Sequence, residues 1–77
     1  DIFPNPTLGE LNVVFSNKEN QSDIKIEIFD LEGNIIIDNI YNDNNIYLDL
    51  SKKSNGTYLM RITIEDESIE YKILKSE

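Results

Sequence analysis

Apolar residues recur at every second position through most of this chain, and no other feature restricts its fold as much. A strand turns successive side chains to opposite faces, whereas a helix brings its apolar stripe back about every 3.6 residues. "LNVVF" sets Leu11, Val13 and Phe15 on one face, and "DIKIEIFD" sets Ile24, Ile26 and Ile28 against Lys25 and Glu27. "NIYLDL" offers Ile46, Leu48 and Leu50. The longest run, "GTYLMRITIED", predicts Tyr58, Met60, Ile62 and Ile64 inward, with Arg61, Thr63 and Glu65 outward. "SIEYKILK" predicts a last strand over residues 68–75, with Ile69, Tyr71 and Ile73 inward against Glu70 and Lys72. "NIIIDNIY" is apolar on both faces and reads as a more buried strand. Ile, Val, Thr, Tyr and Phe dominate these runs, as strands prefer.

The breaks carry turn chemistry. "SNKENQS" and "YNDNN" are polar connections, and "EDES" is a short acidic hairpin tip. "DLEGN" puts Gly33 where a tight hairpin needs positive φ, and Asp30 can cap that turn through nearby backbone. Asn55-Gly56 in "SKKSNG" is a second strong turn signal. Strands spaced by roughly eight to twelve residues predict an all-β fold. The expected architecture is a small antiparallel β-sandwich, immunoglobulin-like, with about seven strands, one of them a short strand at Ile2–Phe3. Both prolines fall in "FPNP". Proline fixes φ and lacks an N–H, so a strand there must be an edge, and Asn5, preceding Pro6, is pushed toward extended backbone. Residues 1–6 therefore read as an extended lead-in, with Thr7-Leu8-Gly9 making the turn into the first full strand.

A chain of 77 residues holds one domain at most, with little core to offset chain entropy. It has no cysteine and no histidine. That removes disulfides, zinc sites of the usual kind, Cys nucleophiles and triads built on a His base. A net charge of −8 makes nucleic acid and anionic lipid poor partners. No run is long and apolar enough to cross a membrane as a helix, so no direct membrane insertion is expected. The first residue is Asp rather than Met, which reads as a piece of something longer.

Several residues invite a chemical reading, each beside a plainer one. Asp30, Glu32, Asp38, Asp43 and Asp49 offer oxygen ligands for calcium, but "DLEGN" and "NDNN" lack the alternating spacing of a calcium loop. A carboxylate pair would suit a glycosidase, yet none stands out from a generally acidic surface. No enzyme activity and no cofactor are expected. Asn20-Gln21-Ser22 and Asn55-Gly56-Thr57 fit the glycosylation acceptor pattern, in turns where Asn is ordinary. Tyr41, Tyr47, Tyr58 and Tyr71 would make a sugar-binding platform if gathered on one face. Tyr58 and Tyr71 read instead as core, with the hydroxyl at a wet rim. Lys72 and Lys75 stand out because residues 26–51 contain no Lys or Arg. An edge strand carrying them can be read by a receptor through strand pairing, or the lysines only guard the edge against aggregation.

Taken in order, "FPNPTLGELNV", "IEIFDLEGNII", "LDLSKKSNGTYLMRI" and "EYKILK" resemble the type A C-terminal sorting domain of the type IX secretion system, over Phe3 to Lys75. Phe3-Pro4-Asn5-Pro6 matches that family's aromatic-Pro-Asn-Pro opening, followed by Thr7 and Gly9. Asp30 and Gly33 match its Asp-x-x-Gly hairpin. Asp49, with Leu50 and Ser51, matches Asp-Leu-Ser, and Gly56 and Tyr58 match Gly-x-Tyr. Lys72 and Lys75 match its basic last strand. Asn34 and Lys53 depart from the pattern, standing where a basic residue and a leucine are usual; Lys53 puts a core contact at that turn in question.

The resemblance implies a single C-terminal sorting domain over 1–77 that directs an attached upstream cargo across the outer membrane of a Gram-negative bacterium. It implies type IX translocon and shuttle components as partners, with Tyr71, Lys72, Ile73, Leu74 and Lys75 as the candidate recognition strand. It further implies periplasmic transit, then the cell surface or the extracellular space, and removal of the tail by a surface sortase. The cargo is then released or joined to an anionic lipopolysaccharide. Phe3-Pro4-Asn5-Pro6 would mark where a flexible linker ends, or the prolines only protect a sheet edge. A monomer or a weak edge-strand dimer is expected. The rival reading is a non-catalytic fibronectin-like or carbohydrate-binding accessory module of a secreted protein; a purely structural spacer is the third.

Overall fold

The alternating runs fold into seven strands with no helix among the described residues, 1–15 and 22–76 of a computed structural model. The strands are β1 (Ile2–Phe3), β2 (Glu10–Val14), β3 (Ile24–Asp30), β4 (Ile35–Tyr41), β5 (Asn45–Asp49), β6 (Gly56–Ile64) and β7 (Glu67–Lys75). They form a three-stranded sheet in the order β1-β2-β5 and a four-stranded sheet in the order β4-β3-β6-β7. All strand pairs are antiparallel. This is the expected small sandwich, compatible with an immunoglobulin-like arrangement. The connection predicted as "SNKENQS" and the Asn20 acceptor pattern lie outside the described residues, apart from Ser22.

The inner faces are those the alternation named. Leu11 and Val13 from β2 and Ile46 and Leu48 from β5 face Ile24, Ile26, Ile28, Tyr58, Met60, Ile62 and Ile73 from the larger sheet, with Leu50 beside them. Burying such branched side chains contributes about 1.5–3 kcal/mol each. On the outer face of the larger sheet, Arg61 lies 3.5 Å from Glu27 and 3.2 Å from Glu70, with its guanidinium over the Phe29 ring. These exposed pairs contribute little individually.

Three expectations need correction. β4, read as a more buried strand, is an edge strand; Ile35 and Ile40 are 58% and 66% exposed. Ile36 and Ile37 are only partly packed on the core. Strand order decides this, because among the described residues β3 is the only strand beside β4, and the smaller sheet leaves β4 largely uncovered. The β3–β4 register also shifts between Ile28 and Phe29, so Ile36 is an extra residue, the form of a β-bulge. Ile69 and Tyr71, expected inward, share the face of the buried Ile73 but are 59% and 39% exposed. Three strands cannot roof all of four, and this end of β7 projects beyond them. Lys53 at the turn is exposed and displaces no core contact.

Candidate functional site

The opening motif and the last strand meet. β1 ends at Phe3, and the chain then bends at Asn5 and Pro6 rather than continuing straight; both X-Pro bonds are cis. Neither proline can donate to a ladder. The Asn5 side chain supplies the bonds instead. Its amide nitrogen donates to the Lys72 carbonyl at 2.9 Å, and its oxygen accepts from the Leu74 N–H at 3.0 Å. A carboxamide carries the same donor and acceptor as a peptide group, so Asn5 stands in for one unit of a neighbouring strand. Two residues on, the Thr7 N–H donates to Leu74 at 2.8 Å, and the Ser76 N–H donates to the Thr7 carbonyl at 2.9 Å. Thr7 and Lys75 thus form one parallel bridge.

The residues behind that bridge lock it. Thr7 is 2% exposed, and its hydroxyl accepts from the Gly9 N–H at 2.9 Å and donates to the Glu10 carbonyl. Gly9 has φ +144, and a Cβ there would lie 2.6 Å from Ser51 Cα, a contact no side chain can make without backbone movement. The Gly9 carbonyl accepts from the Leu50 N–H. Asp49 then accepts from the Ser51 N–H at 2.8 Å. Hydrogen bonds from Ser51 hold the Asp49 carboxyl below its ordinary value. The motif residues Gly9 and Asp49 therefore belong to one cluster under Thr7, the residue whose importance the sequence reading missed. A hydroxyl residue placed between Pro6 and Gly9 was the available signal.

A second group gathers at the same end. Asp30 accepts from the Glu32 and Asn34 N–H groups, both at 2.9 Å, and from the Asn34 side chain. This is the predicted cap, and these bonds, led by that from the Asn34 side chain, lower the Asp30 pKa. Gly33 sits at φ +89, as the hairpin requires. The departure at Asn34 thus serves the turn directly. Asp30, Gly56 and Tyr58 line an open cleft of about 390 Å³ with Lys53 and Asn55. Tyr58 is core as expected, its hydroxyl donating to the Ser54 carbonyl.

The five-residue recognition strand divides. Tyr71, Lys72 and Leu74 are exposed, while Ile73 and Lys75 are 0% and 3% exposed. Lys75 was expected on a free edge; it lies under Thr7 and donates to the Asn55 side chain at 3.0 Å. Among the described residues, the edge itself is open only in the first half of β7. The four tyrosines do not form a platform: Tyr58 is buried, Tyr41 packs on the core, and Tyr47 lies on the outer side of β5. Among the described residues, no group of three or more acidic side chains could hold a metal ion.

Fold and site together define a two-sheet β-domain whose opening Pro-Asn-Pro segment is fastened along its last strand. A family model described as secretion system C-terminal sorting domain matches residues 1–76, and the chain belongs to that family. It is a sorting domain of type IX secretion, carried by a protein bound for the cell surface or the extracellular space. No match to a curated protein is found.

Proposed function

We propose that this domain is the address label of an exported cargo. Shuttle and translocon components bind it in the periplasm, it accompanies the cargo across the outer membrane, and a sortase-type protease removes it at the surface. The family match over residues 1–76 carries this reading. The domain presents a surface and performs no catalysis. That surface is the exposed side of β7, with Lys72 and Leu74 on the outer face and Tyr71 at the rim. Ile73 and Lys75 act by holding the strand in place. Residues 1–6 form the junction with an upstream linker, where an exposed chain is open to proteolysis.

The test is a periplasm-targeted fluorescent protein with this domain at its C-terminus, expressed in a bacterium that has the type IX pathway. The fusion is expected at the surface or in the medium, and in the periplasm when the translocon is deleted. A Lys72→Glu, Leu74→Asp variant is expected to fold and stay periplasmic, while Asp38→Lys on β4 is exported. Periplasmic retention of every fusion, with the domain folded, would overturn the sorting reading. Export of the β7 variant at the parent's level would instead overturn the surface assignment alone.

A further inference from the structure

The open half of β7 is complementary to itself. The bonds to Asn5 and Thr7 use the Lys72 carbonyl, both Leu74 groups and the Ser76 N–H. Even-numbered residues therefore turn their backbone groups outward, and by strand alternation so do Ser68 and Glu70. Among the described residues no strand flanks them, since β7 ends the sheet. Beside this edge, on the inner face, lies a groove of about 260 Å³ lined by Phe15, Ile62, Ile64, Ile69 and Tyr71, with the Glu65 and Glu67 carboxylates also on its wall. The smaller sheet does not cover it, and Ile69 is 59% exposed.

We infer that this edge pairs with the same edge of a second copy, antiparallel, about a two-fold axis at Ile69. That register sets Ser68 against Glu70 of the second copy, and both residues direct their N–H and C=O groups across the seam. Glu67 meets Tyr71 and Ile69 meets Ile69, and the pairing ends there, because Asn5 already takes the outward carbonyl of Lys72. No like charges oppose one another. The apolar walls of the two grooves become continuous through the Ile69 pair, covering side-chain surface that a single copy leaves exposed. β4 offers no equivalent. A two-fold at its centre sets Asp38 against Asp38, which is destabilising, and its bulge distorts the ladder. Pairing is opposed at long range by a charge of −8 on each copy. Added salt screens that repulsion, so self-association strengthens with ionic strength, the reverse of binding to a basic partner. The inference does not depend on the sorting role.

The chain has no native cysteine, which permits a direct test on the full chain in solution. Sedimentation velocity is expected to show a dimer that grows with concentration and tightens several-fold as salt is raised. In a non-hydrogen-bonded antiparallel pair the Cα atoms lie about 4.5 Å apart, within disulfide range. Ile69→Cys is therefore expected to oxidise to a covalent dimer at least tenfold faster than Asp38→Cys. Ile69→Lys is expected to be monomeric with unchanged thermal stability, which separates loss of pairing from loss of fold. A chain that stays monomeric at millimolar concentration would overturn the inference. So would a dimer that survives Ile69→Lys, or fastest crosslinking through Cys at position 38. If a basic peptide protects the Ser68 and Glu70 amides from exchange while the chain alone is monomeric, the edge has another occupant and the inference falls.

Discussion

β4 and β7 are the two outer strands of one sheet, and they meet solvent in opposite ways. β4 is rich in isoleucine, carries one acidic residue and no lysine, and has no flanking segment among the described residues. β7 is mixed in character, and the second half of its edge is occupied by Asn5 and Thr7. An edge strand presents unpaired backbone groups, and proteins commonly protect it with charge, proline or a covering segment. Here charge, a Pro-flanked segment and backbone closure all fall on β7. Apolar content alone was therefore a poor guide to which strand lies inside, and the two edges serve different ends.

Substitution along β7 tests how sharply its halves differ. Ile73→Ala empties a fully buried position and is expected to destabilise by about 2–4 kcal/mol. Ile69→Ala, on the same face, is expected to change stability by less than about 1 kcal/mol; chemical denaturation of both variants gives the comparison. Equal losses would mean that the two halves are equally buried in solution.

Asn5→Ala removes the side chain that closes the edge. Its expected effect is a loss of about 1 kcal/mol, with faster amide exchange at Leu74 and unchanged exchange in β3. Unchanged exchange at Leu74 would show that Thr7 alone seals this edge. On β4, Ile40→Lys replaces a side chain that is 66% exposed and is expected to shift stability by no more than about 0.5 kcal/mol. Its measurable consequence is higher solubility. A loss near that of Ile73→Ala would put β4 inside the core after all.

The smallest effect is electrostatic. Asn34 holds Asp30, and Ser51 holds Asp49, below the ordinary value of 3.8. A carboxyl whose folded pKa is lowered binds protons more readily when the chain is unfolded. Its contribution is complete above 3.8 and disappears as pH falls through the lower folded value. Melting temperature is expected to fall below about pH 4, and Asp30→Asn is expected to flatten that fall. Both groups are exposed, so the change is modest.

Local pattern was enough to find the strands and most inward faces, because period two is set by the strand itself. It named Leu11, Ile26, Met60 and Ile73, all of them buried. It also found the Asp30–Gly33 hairpin, whose bonds are all within a few residues. Parity even put Lys75 on the face of Ile73, a consequence obscured by its charge. What local pattern could not supply was strand order, which makes β4 an edge and leaves Ile69 and Tyr71 beyond the smaller sheet. Nor could it supply the partner of Asn5, because a side-chain amide acquires its role only when a distant strand is beside it.

Asn5 and Leu74 are 69 positions apart. Closing so long a loop is entropically unfavourable until much else is in place. The hairpins β3–β4 and β6–β7 need only neighbouring residues to begin, whereas the seal on β7 waits for nearly the whole chain. A folding chain thus passes through an interval in which the outward backbone groups along the whole of β7 are available. The segment that seals this strand also acts as a timer: it determines how long the strand stays accessible before the fold withdraws half of it.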